Sequence, residues 1–195
     1  MESTRVQILQ AGLELFSELG YVGATTRGIA RRAGITEVTL FRYFPTKEKL
    51  FEEVVNAYLP TPGFSEIIFK AKDLAYRDAL AMIAGAFMEG LRTEKKLIQI
   101  MYSESQRYAD LMARVYMALV DNLISLLAAY FEGLQHDGLI RKFNARAGAT
   151  AFLGMWSALY EAKYLLQISG FSEIDETEIA KEYIDIFFTG TQKTS

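Results

Sequence analysis

Apolar residues recur at helical spacing along almost the whole chain. From Val6 to Leu19 the positions Ile8, Leu9, Leu13, Leu15, Phe16 and Leu19 form one wide stripe, the pattern of an amphipathic helix. Ser3 or Thr4 can cap its start and Gly20 can close its end. Thr25 and Thr26 open a second, short helix that runs to about Ala33, and Ala33-Gly34-Ile35 separates it from a third. Thr36 caps that third helix, which is expected to continue through Phe44 and to stop at Pro45. At about 100° per residue, Leu40, Phe41 and Phe44 share one arc and are expected to pack inward, while Thr36, Thr39, Arg42 and Tyr43 share the opposite arc. Thr46 opens a fourth helix, about 46–59, with Leu50, Phe51, Val54, Val55 and Tyr58 as its apolar face. Pro60-Thr61-Pro62-Gly63 is the one clear break. Further amphipathic helices are expected over approximately 65–92, 95–104, 107–135, 144–169 and 175–189, with no run of alternating β-branched residues that reads as a strand.

The predicted fold is therefore all-α. Residues 1–50 are expected to form a helix-turn-helix domain and 51–195 a larger helical body, with the fourth helix linking the two. An apolar fraction of 51% suffices for a core and leaves a surplus for a subunit interface or a cavity. The net charge of −3 argues against indiscriminate binding to nucleic acid over the whole surface. Its distribution is uneven. Between Thr25 and Lys49 six bases (Arg27, Arg31, Arg32, Arg42, Lys47, Lys49) face two acids (Glu37, Glu48), a local excess of +4 that leaves −7 on the remainder. A basic module on an acidic body suits DNA held at one end.

The block from Ala24 to Phe51 carries the chemistry. A helix-turn-helix joins its helices by a tight turn in which Gly accepts the left-handed backbone, and its second helix enters the major groove. On the exposed arc of that helix, Thr39 and Arg42 are the candidates for base-edge contact, since Arg can form two hydrogen bonds to guanine. Tyr43, Thr25, Thr26 and Lys47 suit phosphates, because hydroxyls, an ammonium and helix amino-terminal N–H groups favour anionic oxygens. Thr25 and Thr46 also read simply as caps, and the roles are compatible. Arg27, with Arg31 and Arg32, adds electrostatic support. Glu37 either accepts from a cytosine amino group or occupies the first turn because the helix dipole favours an acid there.

The same block resembles the TetR family of bacterial one-component repressors. The resemblance rests on Gly20-Tyr21, Ala24-Thr25-Thr26, Ile29-Ala30 with Ala33-Gly34-Ile35, Thr39-Leu40-Phe41, Tyr43-Phe44-Pro45 and Thr46-Lys47-Glu48-Lys49-Leu50. One departure is Glu37, where members often carry Lys or another non-acidic residue. The resemblance implies a homodimer, a double-stranded DNA operator as partner, a pocket for a small-molecule effector in each carboxy-terminal body, and a dimer interface built from the last two helices. Candidates for the pocket are Met82, Phe87, Met101, Tyr102, Tyr116, Trp156, Tyr160 and Tyr164, whose aromatic bodies and polar tips suit a mostly apolar ligand; each also reads as core. For the interface they are Ala151, Gly154 and Ala158, small enough for close helix approach, with Ile179, Tyr183, Ile186 and Phe187 on the last helix.

Other classes find little support. Without Cys there is neither a disulfide framework nor a thiolate metal site. The single His136 sits before Asp137-Gly138 at an expected helix end, where the dipole explains it. No Ser–His–Asp set, phosphate-cradling Gly loop or carboxylate pair suggests an enzyme, and no cofactor is implied. No signal peptide is visible at Met1-Glu2-Ser3-Thr4-Arg5, and no unbroken apolar run reaches the ~18 residues of a membrane span, so the expectation is a cytoplasmic protein with no membrane partner. The expected function is a ligand-responsive transcriptional regulator, a repressor by the family's habit. An effector would move the fourth helix and change the separation of the two recognition helices. A helical sensor or carrier whose helix-turn-helix no longer binds DNA is the alternative, with Glu37 as its hint.

Overall fold

The computed structural model describes residues 3–58, 61–171 and 173–193. Among them the chain is helical throughout, with α1 (Thr4–Gly23), α2 (Thr26–Arg32), α3 (Glu37–Tyr43), α4 (Lys47–Tyr58), α5 (Thr61–Ala71), α6 (Tyr76–Thr93), α7 (Lys95–Glu104), α8 (Ala109–His136), α9 (Ala145–Tyr160) and α10 (Glu176–Thr191). A π turn, Glu161–Leu165, continues α9. A single isolated bridge, Ile140 to Gln192, is the only extended pairing among the described residues.

Side-chain caps set five of the described helix starts. Thr25 accepts from the Gly28 N–H, Thr36 from Thr39, Thr46 from Lys49, Asn144 from Ala147 and Asp175 from Thr177, each satisfying a backbone donor that the helix leaves open. Ser3 precedes α1 but makes no such bond. Two glycines take the left-handed conformation that the turns demand. Gly20 (φ 71°) interrupts α1 before a last turn that ends at Gly23, and Gly34 (φ 70°) joins α2 to α3.

Three expected boundaries move. The single helix expected over 65–92 is two, α5 and α6, parted by a turn at Lys72–Ala75. Short i to i+3 bonds from the N–H groups of Lys72, Asp73 and Leu74 tighten the chain there, and no Gly or Pro marks the place in sequence. The helix expected over 144–169 stops being α-helical at Tyr160 and closes through the π turn, with Gln167 at φ 50°. The Pro60 break lies outside the described residues, as does Leu59; Thr61-Pro62-Gly63 belong to the first turn of α5, where a proline's missing N–H costs nothing.

The chain divides into two packing units, Met1–Leu59 with Glu94–Leu119, and Pro60–Thr93 with Val120–Ser195. In the first unit one core joins Ile8, Phe16, Ile29, Leu40, Phe44, Phe51 and Val54 to Leu97, Met101 and Met112 of α7 and α8. Tyr21 stacks on Phe16 at 5.9 Å and meets Phe51 and Tyr108 edge-on at 5.1 and 4.9 Å, geometries that aromatic quadrupoles favour. Helices α1 and α4 approach so closely at Gly12 that a Cβ there would lie 2.9 Å from the Val54 Cγ2. In the second unit Phe187 packs on Phe131 and Phe152 at 5.5 and 4.9 Å, and Phe143 packs on Phe131 at 5.8 Å. Gly148 makes room for that Phe143 ring, which a Cβ would meet at 2.3 Å.

By length and mean hydropathy α8 is the one described helix suited to crossing a bilayer. Its apolar positions are used in packing, with Leu111, Met112 and Val115 buried in the first unit and Leu123, Ile124, Leu127 and Phe131 in the second.

The Gly12 contact makes a direct prediction. Gly12→Val forces methyls against a stiff β-branched neighbour and should destabilise the protein by about 1–3 kcal/mol, read from denaturant midpoints. An unchanged midpoint would mean that α1 and α4 are free to separate there.

Candidate nucleic-acid interface and ligand groove

The recognition helix is fixed from beneath. Leu40 is fully buried and Phe44 is 2% exposed, so one side of α3 is sealed against the core. Phe41 does not join them: it is 42% exposed. At about 100° per residue the arc defined by Leu40 and Phe44 leaves Phe41 at its edge, roughly 80° from the centre. The same arithmetic puts Val38 within roughly 40° of Arg42, and Val38 is the most exposed apolar side chain of the helix, at 73%. Sequence reasoning passed over Val38 because it looks like core, yet its angular position was the available signal. It presents a branched methyl surface beside Arg42, suited to a thymine methyl.

Around α3 the polar groups are held in a defined order. Thr36 Oγ1 caps the Thr39 N–H at 3.1 Å and lies 2.9 Å from Thr39 Oγ1. Thr26 donates its hydroxyl to Glu37 at 2.6 Å, tying the first turn of α3 to the first turn of α2. Thr25, Arg27, Thr36, Arg42 and Tyr43 are exposed, whereas Thr26, Glu37, Thr39 and Lys47 are half-buried. A shallow hollow beside the turn is lined by Thr25, Arg27, Arg31 and Glu37.

The cations divide into two groups. Arg32 is paired with Glu14 at 2.6 Å and Glu18 at 3.3 Å, Lys49 with Glu53 at 3.0 Å, and Arg5 with Glu53 at 2.6 Å. Arg27, Arg31 and Arg42 have no ion-pair partner among the described residues. Lys47 turns inward, with its ammonium 3.3 Å from the Val22 carbonyl and 4.5 Å from the centre of the Tyr21 ring; burial lowers its pKa. Tyr21 in turn donates to Glu48 at 3.1 Å.

The eight residues expected to line a pocket fall into both units. Met101 belongs to the core of the first unit, and Tyr102 and Tyr116 lie in the same unit with 42% and 46% exposure. In the second unit Phe87 packs edge-on against Phe64, Tyr160 is buried, and Met82 and Tyr164 are half-buried. Trp156 alone of the eight lines a groove of that unit, a hollow of about 490 Å³ between α6, α9 and α10. Its indole N–H and the Tyr160 hydroxyl, one turn further along α9, are buried without a hydrogen-bond partner among the described residues. The other walls, including Arg77, Gly85, Met88, Arg92, Glu176 and Ile184, escaped sequence reasoning, which searched for aromatic side chains and not for the small residues that make room.

Of the expected interface residues, Ala151, Gly154 and Ala158 are exposed along α9, and Ile186 is 62% exposed on α10. Ile179 is half-buried, Tyr183 packs on Trp156 at 5.4 Å, and Phe187 is buried within the chain. His136 is exposed at the end of α8 beside Asp137. Among the described residues no cluster of His, Cys, Asp or Glu could hold a metal ion.

A short capped helix, sealed on one side and flanked by unpaired arginines, at the end of an all-helical chain, defines a helix-turn-helix transcription regulator. Residues 8–54 match the profile of bacterial regulatory proteins of the tetR family, and residues 78–190 match that of the AefR-like transcriptional repressor C-terminal domain. The chain belongs to the TetR family. It is 28% identical over 155 residues to the HTH-type transcriptional regulator YvkB of Bacillus subtilis (strain 168), covering 80% of each protein. Among solved structures it resembles a TetR-family regulator from Mesorhizobium loti MAFF303099, with a TM-score of 0.79 at 22% identity over 97% of both chains. It also resembles FadR from Bacillus subtilis in complex with stearoyl-CoA, with a TM-score of 0.66 at 18% identity over 95% of this chain and 98% of that one.

Removing the cap tests how α3 is held. Thr36→Ala should cost about 1 kcal/mol, seen as a lower unfolding midpoint, and Thr36→Asn should largely restore it. Equal midpoints for all three proteins would show that the cap bond adds nothing.

Proposed function

We propose that this regulator is a homodimeric, ligand-responsive repressor that reads a pseudo-palindromic operator and is released by a small apolar or amphipathic effector. The observation that carries the reading is the two-sidedness of α3, with Leu40 and Phe44 buried and Val38 and Arg42 outward. Residues 1–50 carry the DNA contacts. Arg42, Val38 and Thr39 meet base edges, while Thr25, Tyr43, Arg27 and Arg31 meet phosphates. Thr36 orients Thr39 through the cap. Glu37, held by Thr26, sets the angle between α2 and α3. Lys47 reaches a phosphate only by leaving Val22 and Tyr21, so its contribution depends on that exchange.

Residues 51–195 supply ligand binding and dimerisation. Ala147, Ala151, Gly154 and Ala158 recur on one exposed stripe of α9. Ile179, Glu182, Tyr183 and Ile186 share one arc of α10 at about 100° per residue. A second copy of the chain laid on these faces gives a closed two-fold dimer. Its recognition helices would then meet successive major grooves about 34–36 Å apart.

The effector acts by favouring one arrangement over another, with a coupling of about 1–3 kcal/mol. Within the first unit the start of α8 lies against the DNA-binding helices: Tyr108, just before it, meets the Tyr21 ring, and Arg114 lies 3.6 Å from Glu52 of α4. The residues of α8 fall in both packing units, which makes α8 the proposed carrier of the effector's signal. The related FadR structure, which holds stearoyl-CoA, supports an amphipathic effector. A protein working on DNA in this way acts in the cytoplasm.

Binding to fragments of its own promoter tests the central reading. Arg42→Ala should lose about 1–3 kcal/mol of discrimination at one base pair per half-site, and Val38→Ser should relax preference at its neighbour. Unchanged selectivity in both would remove α3 from the readout. For the dimer, Ile186→Lys should shift sedimentation toward the monomer with little effect on folding; a wild-type monomer at micromolar concentration would overturn the assembly.

A further inference from the structure

The groove between α6, α9 and α10 has small residues where a ligand needs room. Ala81, Gly85 and Ala180 lie along it, with Met88, Leu159 and Ile184 as apolar walls. A Cβ built at Gly85 meets no atom within 4 Å. From Arg77 to Arg92 the groove follows α6 for roughly 22 Å at 1.5 Å per residue, which suits an elongated molecule.

At the Arg92 end the π turn brings Lys163 and Tyr164 onto Glu176, the first residue of α10. Arg92 and Tyr164 both donate to the Glu176 carboxylate, and the Lys163 ammonium lies 3.2 Å from it and 2.7 Å from the Ile174 carbonyl. The Arg92 guanidinium also lies 5.6 Å from the centre of the Tyr164 ring. Only 15% of the Lys163 side chain is exposed, unusual for a lysine unless its charge is answered. Three donors thus surround one carboxylate that projects from a helix start, with 26% of its side chain exposed.

We propose that this groove binds an elongated amphipathic carboxylate, whose head group takes the place of Glu176 among Arg92, Lys163 and Tyr164. The exchange of one carboxylate for another leaves the buried charge balance unchanged, whereas a cationic head would meet two uncompensated cations. Glu176 has solvent to enter when displaced. On the far rim Arg77 is already paired with Asp185, and Lys181 adds a further positive charge to the lining. The groove side of α10 carries Thr177, Ala180, Lys181 and Ile184, and the opposite side carries Ile179, Glu182 and Ile186. Loss of the Glu176 contacts therefore loosens the first turn of a helix whose other face is assigned to the dimer. The proposal rests on the effector reading above and narrows it to one ligand class.

Isothermal titration of the full chain with dodecanoate and dodecyltrimethylammonium, both below micelle formation, tests it. Dodecanoate should bind at least tenfold more tightly than the cationic chain. Glu176→Gln should raise dodecanoate affinity several-fold, Arg92→Gln and Lys163→Gln should each lower it about tenfold, and Gly85→Leu should abolish it with the helical melt preserved. Equal binding of the two chains, no dodecanoate binding, or dodecanoate affinity indifferent to Arg92→Gln, Lys163→Gln and Gly85→Leu overturns the proposal. Promoter binding in parallel separates the two readings: dodecanoate bound in the groove without any change in DNA affinity upholds the site and overturns its role as the effector pocket.

Discussion

A helix of seven residues does not hold its shape in water, and α3 has seven. Helices shorter than about 12–15 residues are marginal on their own, so tertiary packing must fix such an element. Here Leu40 and Phe44 do so by burial, Thr36 by capping and Glu37 by its bond to Thr26. The direction in which Arg42 and Val38 point depends on these four contacts. The core beneath them is shared with α1, α4, α7 and the start of α8, so α3 inherits its rigidity from helices outside the helix-turn-helix pair.

Charge is sorted on the same module. Arg32 and Arg5 are matched to glutamates on neighbouring helices and Lys49 to glutamates on its own, at exposed sites where an ion pair contributes at most about 1 kcal/mol. Arg27, Arg31 and Arg42 remain available to polyanions. A count of basic residues therefore overstates the local field, and Lys47, lying against Tyr21 and Val22, shows the same thing by a different route. Its stem and charge join the aromatic cluster that couples α1 to α8.

In the second unit α10 serves two faces. Its groove side meets α6 and the polar cluster around Glu176, and the other side carries Ile179 and Ile186. A change at Glu176 is felt on a helix whose other face carries the residues proposed for the dimer, so the start of α10 would join the proposed ligand chemistry to the proposed assembly. The stripe of small residues on α9 has two uses as well. Gly148 accommodates Phe143 inside the chain, while Ala151, Gly154 and Ala158 face outward.

Much of this was legible in the chain itself. The periodicity placed α1 to α4, α7, α8, α10 and the start of α9 to within a few residues, the threonines named the caps, and Gly34 marked the turn, because these signals act between residues close in sequence. The order of helix, Gly turn, helix and aromatic-Pro close was enough to place the protein in its class. The turn that divides α5 from α6 was hidden, since Lys72-Asp73-Leu74-Ala75 contains neither Gly nor Pro and only the packing of the two helices requires a break. The exposure of Phe41 and Val38, the pairing of Arg32 but not Arg31, the inward turn of Lys47 and the gathering of Arg92, Lys163, Tyr164 and Glu176 were decided only in three dimensions. Each depends on a partner between 12 and 84 positions away, or on the angle at which one helix meets another, and neither quantity is written in local sequence.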